Sequence, residues 1–382
     1  MGSGFHNSEM TSMDRRVFLK GTMATGFLAS AGIPLLSSCS GVKRSDLPPS
    51  AEPVRGIDDE GARILWYASL APSGHNSQPW FVKVVGKGEW IIGGDPLRRL
   101  PAVDPDNREL LLSIGAFAEN LSIAASVAGY ETHTEVIAKS PRDEEVIRLS
   151  LKKANPRTYP IERLTLRRTV KNGLLLREIA KEDVKILSEP HEGCLFYYPR
   201  GTDHARCIEE AAVESYRVQT YRDEAQKELA HWIRFSNEDA RKHRDGLTTE
   251  GMEITGFSGW FVRQFMDQGD VVGERFRKQG IDIAAKWATE GGGWVVITSR
   301  GRGVADLIET GRRFERTALL ARERNVALHP MTQVLEEEKG RREITSSHGT
   351  DVIPQFVLRV GYLDKYPTPV SLRRPVASFV RT

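Results

Sequence analysis

The sequence has few cysteines and lacks the spacings that hold a metal ion. It contains 3 cysteines and 9 histidines in 382 residues, without a Cys-x-x-Cys or His-Glu-x-x-His motif. Structural zinc sites need four ligands at such spacings, so we expect no metal. Cys194 lies in a strand-like run and Cys207 in a helix-like run, which favours two free thiols over a disulfide.

A charge excess of one sign is also missing. The 54 basic and 51 acidic residues leave a net charge of +3. This balance gives no reason to expect a nucleic-acid partner. Apolar residues make up 40% of the chain and charged residues 27%, a usage that excludes a disordered or fibrous protein.

Near the N-terminus the longest apolar stretch is too short and too broken to span a membrane comfortably. Residues 22–36, TMATGFLASAGIPLL, contain glycine and proline. Arg15 and Arg16 precede this stretch, and the sequence LSSC ends it at Cys39. The order is typical of a twin-arginine export signal with a lipoprotein cleavage site. An ordinary amphipathic helix is the alternative.

We therefore expect residues 1–38 to be a signal peptide that the twin-arginine export machinery recognises. Cys39 is expected to carry a lipid that holds the protein to the periplasmic side of a bacterial membrane. Residues 39–57 are polar and rich in proline, so we expect them to form a linker. Because this export route carries folded proteins, it also predicts a cofactor that is inserted before export.

The remaining chain predicts an α+β protein built from two related halves. Residues 115–133 align without gaps on residues 311–329, matching Gly115 with Gly311 and Glu119 with Glu315. Each copy is a long helix between strand-like segments. We expect a first half over 58–160 and a second over 161–382, with a helical insertion near 203–273.

The segment APSGHNSQPW, residues 71–80, is the strongest candidate for a binding loop. It presents Ser73, Asn76 and Gln78 on a turn that contains glycine. Such a turn can hold hydrogen-bonding groups against a ring that has several acceptors. A capped turn before a strand, or a hydrolytic Ser73/His75 pair without an evident acid, are the alternatives.

A strand, a Gly-x-Gly and a helix follow one another in WVVITSRGRGVADLIETG, residues 294–311. This order suggests a dinucleotide-binding fold. The third glycine of that fingerprint would fall at Asp306, so the match fails. A tight turn between strand and helix explains Gly301 and Gly303 equally well.

The 71–80 loop resembles the flavin-contacting motif of the nitroreductase family. The resemblance extends from about Asp58 to the C-terminus and is closest to the Acg-like branch, in which two degenerate copies are fused. It implies a nitroreductase-like sandwich, formed here by a pseudo-dimer within one chain, and FMN as cofactor.

Three other segments carry roles that the resemblance implies. Arg167, Thr169 and Lys171 fit an Arg-x-Ser/Thr-x-Lys/Arg motif that holds FMN, although a basic surface stretch would look alike. Arg373 and Arg374 correspond to late phosphate-binding residues. A turn near flavin N5 would contain the following residues: His329, Pro330 and Met331.

These features together predict an FMN-dependent oxidoreductase without a catalytic side chain of its own. A small-molecule donor would reduce the flavin, and an acceptor would then reoxidise it, in a ping-pong cycle. A flavin-storage protein with little NAD(P)H-dependent turnover is the alternative, because NAD(P)H is scarce outside the cytoplasm. A lipoprotein without flavin is the third hypothesis.

Overall fold

The computed structural model describes residues 40–49, 53–348 and 353–382. Arg15, Arg16 and Cys39 lie outside this range, so the export and lipidation signals stay predictions. Helices are α1 Asp59–Ala68, α2 Arg108–Val127, α3 Glu162–Leu166, α4 Lys181–Ser188, α5 Asp203–Thr220, α6 Asp223–Trp232, α7 Asn237–His243, α8 Gly256–Phe265, α9 Gln268–Val271, α10 Glu274–Ala288, α11 Val304–Glu323, α12 Gln333–Glu336 and α13 Glu338–His348. Strands are β1 Trp80–Gly86, β2 Glu89–Gly94, β3 Tyr130–Val136, β4 Glu145–Lys153, β5 Leu195–Pro199, β6 Gly293–Ser299, β7 Val326–Pro330, β8 Ile353–Tyr362 and β9 Val380–Arg381.

Two sheets have the same strand order and the same pairing sense. The first runs β3-β4-β2-β1-β9 and the second β5-β6-β8-β7. Within the first, β1/β2, β2/β4 and β3/β4 are antiparallel. Within the second, β5/β6, β6/β8 and β7/β8 are antiparallel as well. The order β1-β2-β4-β3 therefore matches β5-β6-β8-β7, and β9 is an extra strand added parallel to β1.

The two long helices, α2 and α11, pack directly on each other. A Cβ atom on Gly115 would overlap the carbonyl oxygen of Ile308, and one on Gly311 would overlap that of Leu112. Each overlap involves the residue three positions before the opposite glycine, so the contact is reciprocal. Two glycines thus allow the backbones of the helices to touch.

The buried face of α2 explains its composition. The helix is apolar almost all round, and most of its residues are buried against the first sheet, α1 and α11. It is long and apolar enough to cross a membrane by those criteria alone, but 78% of its most apolar window is buried inside the protein. The helix therefore belongs to the core.

Three features of the structure differ from the sequence-based expectations. Helix α11 ends at Glu323, and residues 326–330 form β7, so His329 and Pro330 lie in a strand where a turn was expected. Asn325 has a left-handed backbone (φ 52°) and separates the two elements. Of the linker expected at 39–57, residues 41–47 pack on the body, where Val42 is 2% exposed. The helical insertion, expected near 203–273, runs from Asp203 to Ala288.

Cys194 and Cys207 are free thiols, as their positions in the sequence favoured.

Replacing Gly311 with alanine should destabilise the protein. The new methyl group would meet a backbone oxygen of α2, which cannot move without shifting the helix crossing. We expect Gly311→Ala to lower the free energy of unfolding in urea by about 1–3 kcal/mol.

The matched control is Gly280→Ala in α10. There a Cβ would meet the end of the Tyr216 side chain at 3.0 Å, and a flexible side chain can give way. This variant should be neutral or more stable, because alanine is the better helix former. Equal stability of the two variants would contradict the tight helix crossing.

Candidate functional site

A cavity of about 1080 Å³ brings both halves and the helical insertion together. Nine of the eleven predicted cofactor-binding residues line it. They are Ser73, Asn76, Arg167, Thr169, Lys171, His329, Pro330, Met331 and Arg373. Gln78 and Arg374 are buried beside the cavity and do not line it. Residues far apart in sequence therefore share one space.

The 71–80 loop is held in an unusual backbone conformation. His75, Asn76 and Gln78 all have positive φ angles, between 50° and 51°. Such residues cost free energy and are kept only where surrounding contacts fix them. The Ser73 hydroxyl oxygen accepts a hydrogen bond from the Gln78 backbone at 2.9 Å, and the Asn76 amide donates to the Gly246 carbonyl at 3.0 Å.

Gln78 and Arg374 hydrogen-bond to each other outside the cavity and hold this loop in place. The Gln78 side-chain oxygen accepts from the Arg374 backbone at 2.9 Å, and the Arg374 guanidinium donates to the Gln78 carbonyl at 2.8 Å. The Gln78 amide also donates to the Arg244 carbonyl at 3.0 Å. These contacts tie the loop to the C-terminal segment, so the two residues position the site and do not face its interior.

A cluster of cations lies in the cavity wall. Arg167 and Arg373 both donate to the Leu70 carbonyl oxygen at 3.0 Å, and Lys171 lies on the same wall. Burial and neighbouring arginines hold the pKa of Arg373 well below its usual range, and burial lowers the pKa of Lys171. The buried carboxylate of Glu315 lies 3.2 Å from Arg167. The cations outnumber it, which favours an anionic ligand.

His329 is a neutral hydrogen-bonding group in the cavity wall. Burial, followed by the charges of Arg359 and Lys171, holds its pKa well below 6.5. The Arg359 guanidinium lies 3.1 Å from Nδ1. Because a guanidinium can only donate, Nδ1 accepts and the proton must sit on Nε2. The ring packs edge-on against Trp287 at 5.0 Å. The sequence singled out neither Arg359 nor Trp287.

A pair of carboxyl groups, Glu109 and Glu336, lies elsewhere in the wall. Burial, with Glu336 as the next cause, raises the pKa of Glu109 to about 8. Burial also raises the pKa of Glu336, which accepts from Thr332 at 2.9 Å and from Gln219 at 2.5 Å. The pair therefore retains one proton at neutral pH, and we assign it to Glu109. Sequence analysis singled out neither of these two glutamates.

The helical insertion contributes the apolar part of the lining. Leu229 and Ile233 line the cavity one turn apart, whereas their neighbours Glu228, Trp232 and Arg234 do not. Glu228 accepts from two backbone N–H groups of the first half, and Arg234 pairs with a buried aspartate. The face of α6 that contains Leu229 therefore lines the cavity, and the face that contains Glu228 packs on the first half.

No family model matches this chain, but some curated proteins are similar to it. The protein named Probable NAD(P)H nitroreductase PigM, from Serratia sp. (strain ATCC 39006), is 23% identical over 317 residues, covering 77% of this chain and 86% of that protein. A protein of Mycobacterium tuberculosis named as an NAD(P)H nitroreductase is 27% identical over 160 residues, covering 35% of this chain and 44% of that protein.

Solved structures similar to this chain include the following two. One is a nitroreductase-like family protein from Bacillus cereus, with a TM-score of 0.33 and 12% identity, covering 59% of this chain and 96% of that one. The other is the FMN-dependent nitroreductase NfnB from Mycobacterium smegmatis in complex with NADPH. Its TM-score is 0.37 and its identity 10%, covering 58% of this chain and 96% of that one.

The carboxyl pair makes a pH-dependent contribution to stability that a single substitution should remove. The pKa of Glu109 rises from 4.5 to about 8 on folding, so the folded state binds more protons between these values. Stability must then fall as the pH rises from about 5 to 8. Relative to Glu109→Gln, the wild type should lose at most about 1.4 kcal/mol per pH unit in this window.

The measurement is the urea-unfolding free energy of both proteins at several pH values. Exposed Glu135, with 68% of its side chain accessible, provides the control Glu135→Gln. The unfolding free energy of this control should depend on pH as that of the wild type does. If Glu109→Gln also shows the pH dependence of the wild type, Glu109 does not retain the proton.

Proposed function

We propose that the protein is an FMN-dependent oxidoreductase of the nitroreductase family, with a small-molecule electron donor and acceptor. The observation that carries the proposal is the cavity itself, whose lining combines a cluster of neighbouring cations with many apolar side chains. This combination suits a phosphorylated aromatic ring. The names of the similar proteins from Serratia and Mycobacterium tuberculosis support the same activity.

The residues present fit the phosphate group of FMN. Arg167, Lys171 and Arg373 supply guanidinium and ammonium donors, and Thr169 supplies a hydroxyl. The Nε atom of Arg373 is buried and has no hydrogen-bond partner among the described residues. Burial, followed by repulsion from Arg44 and Arg167, lowers the pKa of Arg373, and an anion here would relieve that repulsion.

The remaining lining fits a flat ring and a second molecule. The volume of about 1080 Å³ lies at the upper end of ligand pockets. His329 offers an Nε2–H donor, Asn76 an amide, and protonated Glu109 a carboxyl proton within the same wall. When bound, FMN would supply the redox chemistry, with donor and acceptor using the site in turn.

The proposal includes two fused, degenerate copies of one unit. It is supported by the matching strand orders of the two sheets and by the reciprocal glycine contacts of α2 and α11. The 71–80 loop comes from the first copy, and residues 167–171, 329–331 and 371–373 come from the second. The pseudo-dimer would therefore form one complete site from both copies.

We also propose that the protein works outside the cytoplasm, held to a membrane by a lipid on Cys39. The twin arginine, the short apolar stretch and LSSC support this location. The alternative of flavin storage rests on the helical insertion, which covers the cavity with α5, α6 and α8–α10 and would restrict access by NAD(P)H.

The visible absorbance spectrum tests the proposal. Protein purified without added flavin should show a flavin band that bleaches with NADPH and returns with a quinone or a nitroaromatic acceptor. A band that only a strong chemical reductant bleaches would favour storage or another donor. Absence of a band after FMN addition would contradict the cofactor assignment.

Lys171→Met removes one cation from the wall at similar volume. We expect FMN to bind this variant roughly 10- to 100-fold more weakly, as befits a lost charged hydrogen bond. Lys185→Met on the exposed face of α4 is the control and should bind FMN as the wild type does. Equal affinities in a fluorescence titration would remove Lys171 from the site.

A further inference from the structure

Residues 40–49 form an N-terminal strap that lies against the body of the protein. Val42 is buried with Ala240 and Leu372 in a small apolar cluster. The Gly41 backbone donates to a carboxylate oxygen of Glu250 at 2.6 Å, and a Cβ at Gly41 would overlap that carboxylate. The strap therefore docks at a specific site beside the cavity, although its composition predicts a linker.

Arg44 projects from the strap to the cavity wall. Its Nε donates to the Ser371 carbonyl at 3.0 Å and its Nη1 to the Thr165 carbonyl at 3.2 Å. The Arg44 backbone also donates to the Val370 carbonyl at 3.1 Å. These contacts join the strap to two segments of the body, one that contains Arg167 and one that contains Arg373. Arg44 lines the cavity together with both arginines.

The charges around Arg44 do not balance. Arg44, Arg167, Arg168, Lys171 and Arg373 all line this part of the cavity. Two carboxylates pair with them, Glu315 at 3.2 Å from Arg167 and Glu253 at 3.0 Å from Arg168. Burial, then repulsion from Arg167 and Arg168, lowers the pKa of Arg44 to about 9. An anion would lower the free energy of this arrangement.

We propose that Arg44 is an anion ligand of the cavity and that the strap docks cooperatively with a phosphate monoester bound there. If FMN is the ligand, as the proposed function holds, its phosphate and the strap stabilise each other. Reciprocity follows from linkage, because an anion that binds better to the docked strap must favour docking to the same degree. The segment directly after the export signal would then belong to the cofactor site.

The first test compares FMN with riboflavin, which lacks the phosphate. Arg44→Gln should weaken FMN binding roughly 10- to 100-fold and leave riboflavin binding unchanged. Arg44→Lys should recover part of the FMN preference. Exposed Lys43 gives the control Lys43→Gln, which should bind both flavins normally.

A purely structural role for Arg44 gives a different result. Its bonds to two carbonyls could simply hold the strap, and their loss would weaken FMN and riboflavin equally. Equal loss for both flavins, or no loss for either, would overturn the assignment of Arg44 as an anion ligand.

The second test needs no flavin. Trypsin should cleave the protein after Lys43 when the strap is released, and inorganic phosphate should slow this cleavage in the wild type. Sodium chloride at matched ionic strength should not slow it, and Arg44→Gln should lose the effect of phosphate. N-terminal sequencing of the product identifies the cleavage site.

The two tests separate this proposal from the proposed function. If phosphate slows cleavage in a protein that binds no flavin, the coupling between strap docking and anion binding is supported and the FMN assignment is rejected. A cleavage rate that phosphate does not change would overturn the coupling, even in a protein that binds FMN.

Discussion

The contact between α2 and α11 determines where everything else lies. Because Gly115 and Gly311 carry no side chains, the two helix backbones touch and the sheets pack outside them. Glu119 of α2 binds Arg312 and Arg316 of α11 at 2.7–2.9 Å beside the crossing. The helices then continue into the cavity wall, so the core contact and the candidate site share the same two elements.

The electrostatics of the site follow from this arrangement. Helix α11 contributes a buried carboxylate, Glu315, which interacts with Arg167 and Arg373. Arg44, from a third segment, lies near these two arginines. Burying cations without enough counter-charge costs several kcal/mol per ion. A ligand that supplies negative charge would recover part of this cost, so ligand binding and stability of the fold should be linked.

Local patterns predicted the parts of the structure that depend on local chemistry. The strained 71–80 loop and the matched glycines, Gly115 and Gly311, were evident because turn residues and helix repeats leave sequence signals. The docking of Arg44 was not predictable, since a polar, proline-rich segment has the composition of a linker and its seat is formed by distant residues. Glu336 and Arg359 were missed because only the tertiary fold turns them toward the cavity.

The most direct test of the account is a crystal structure of the protein saturated with FMN. The account predicts the flavin inside the cavity, with its phosphate contacting Arg167 and Arg373 and its ring among the apolar side chains near His329. A cavity without flavin under saturating conditions would contradict the central claim. So would a flavin whose phosphate lies away from these cations.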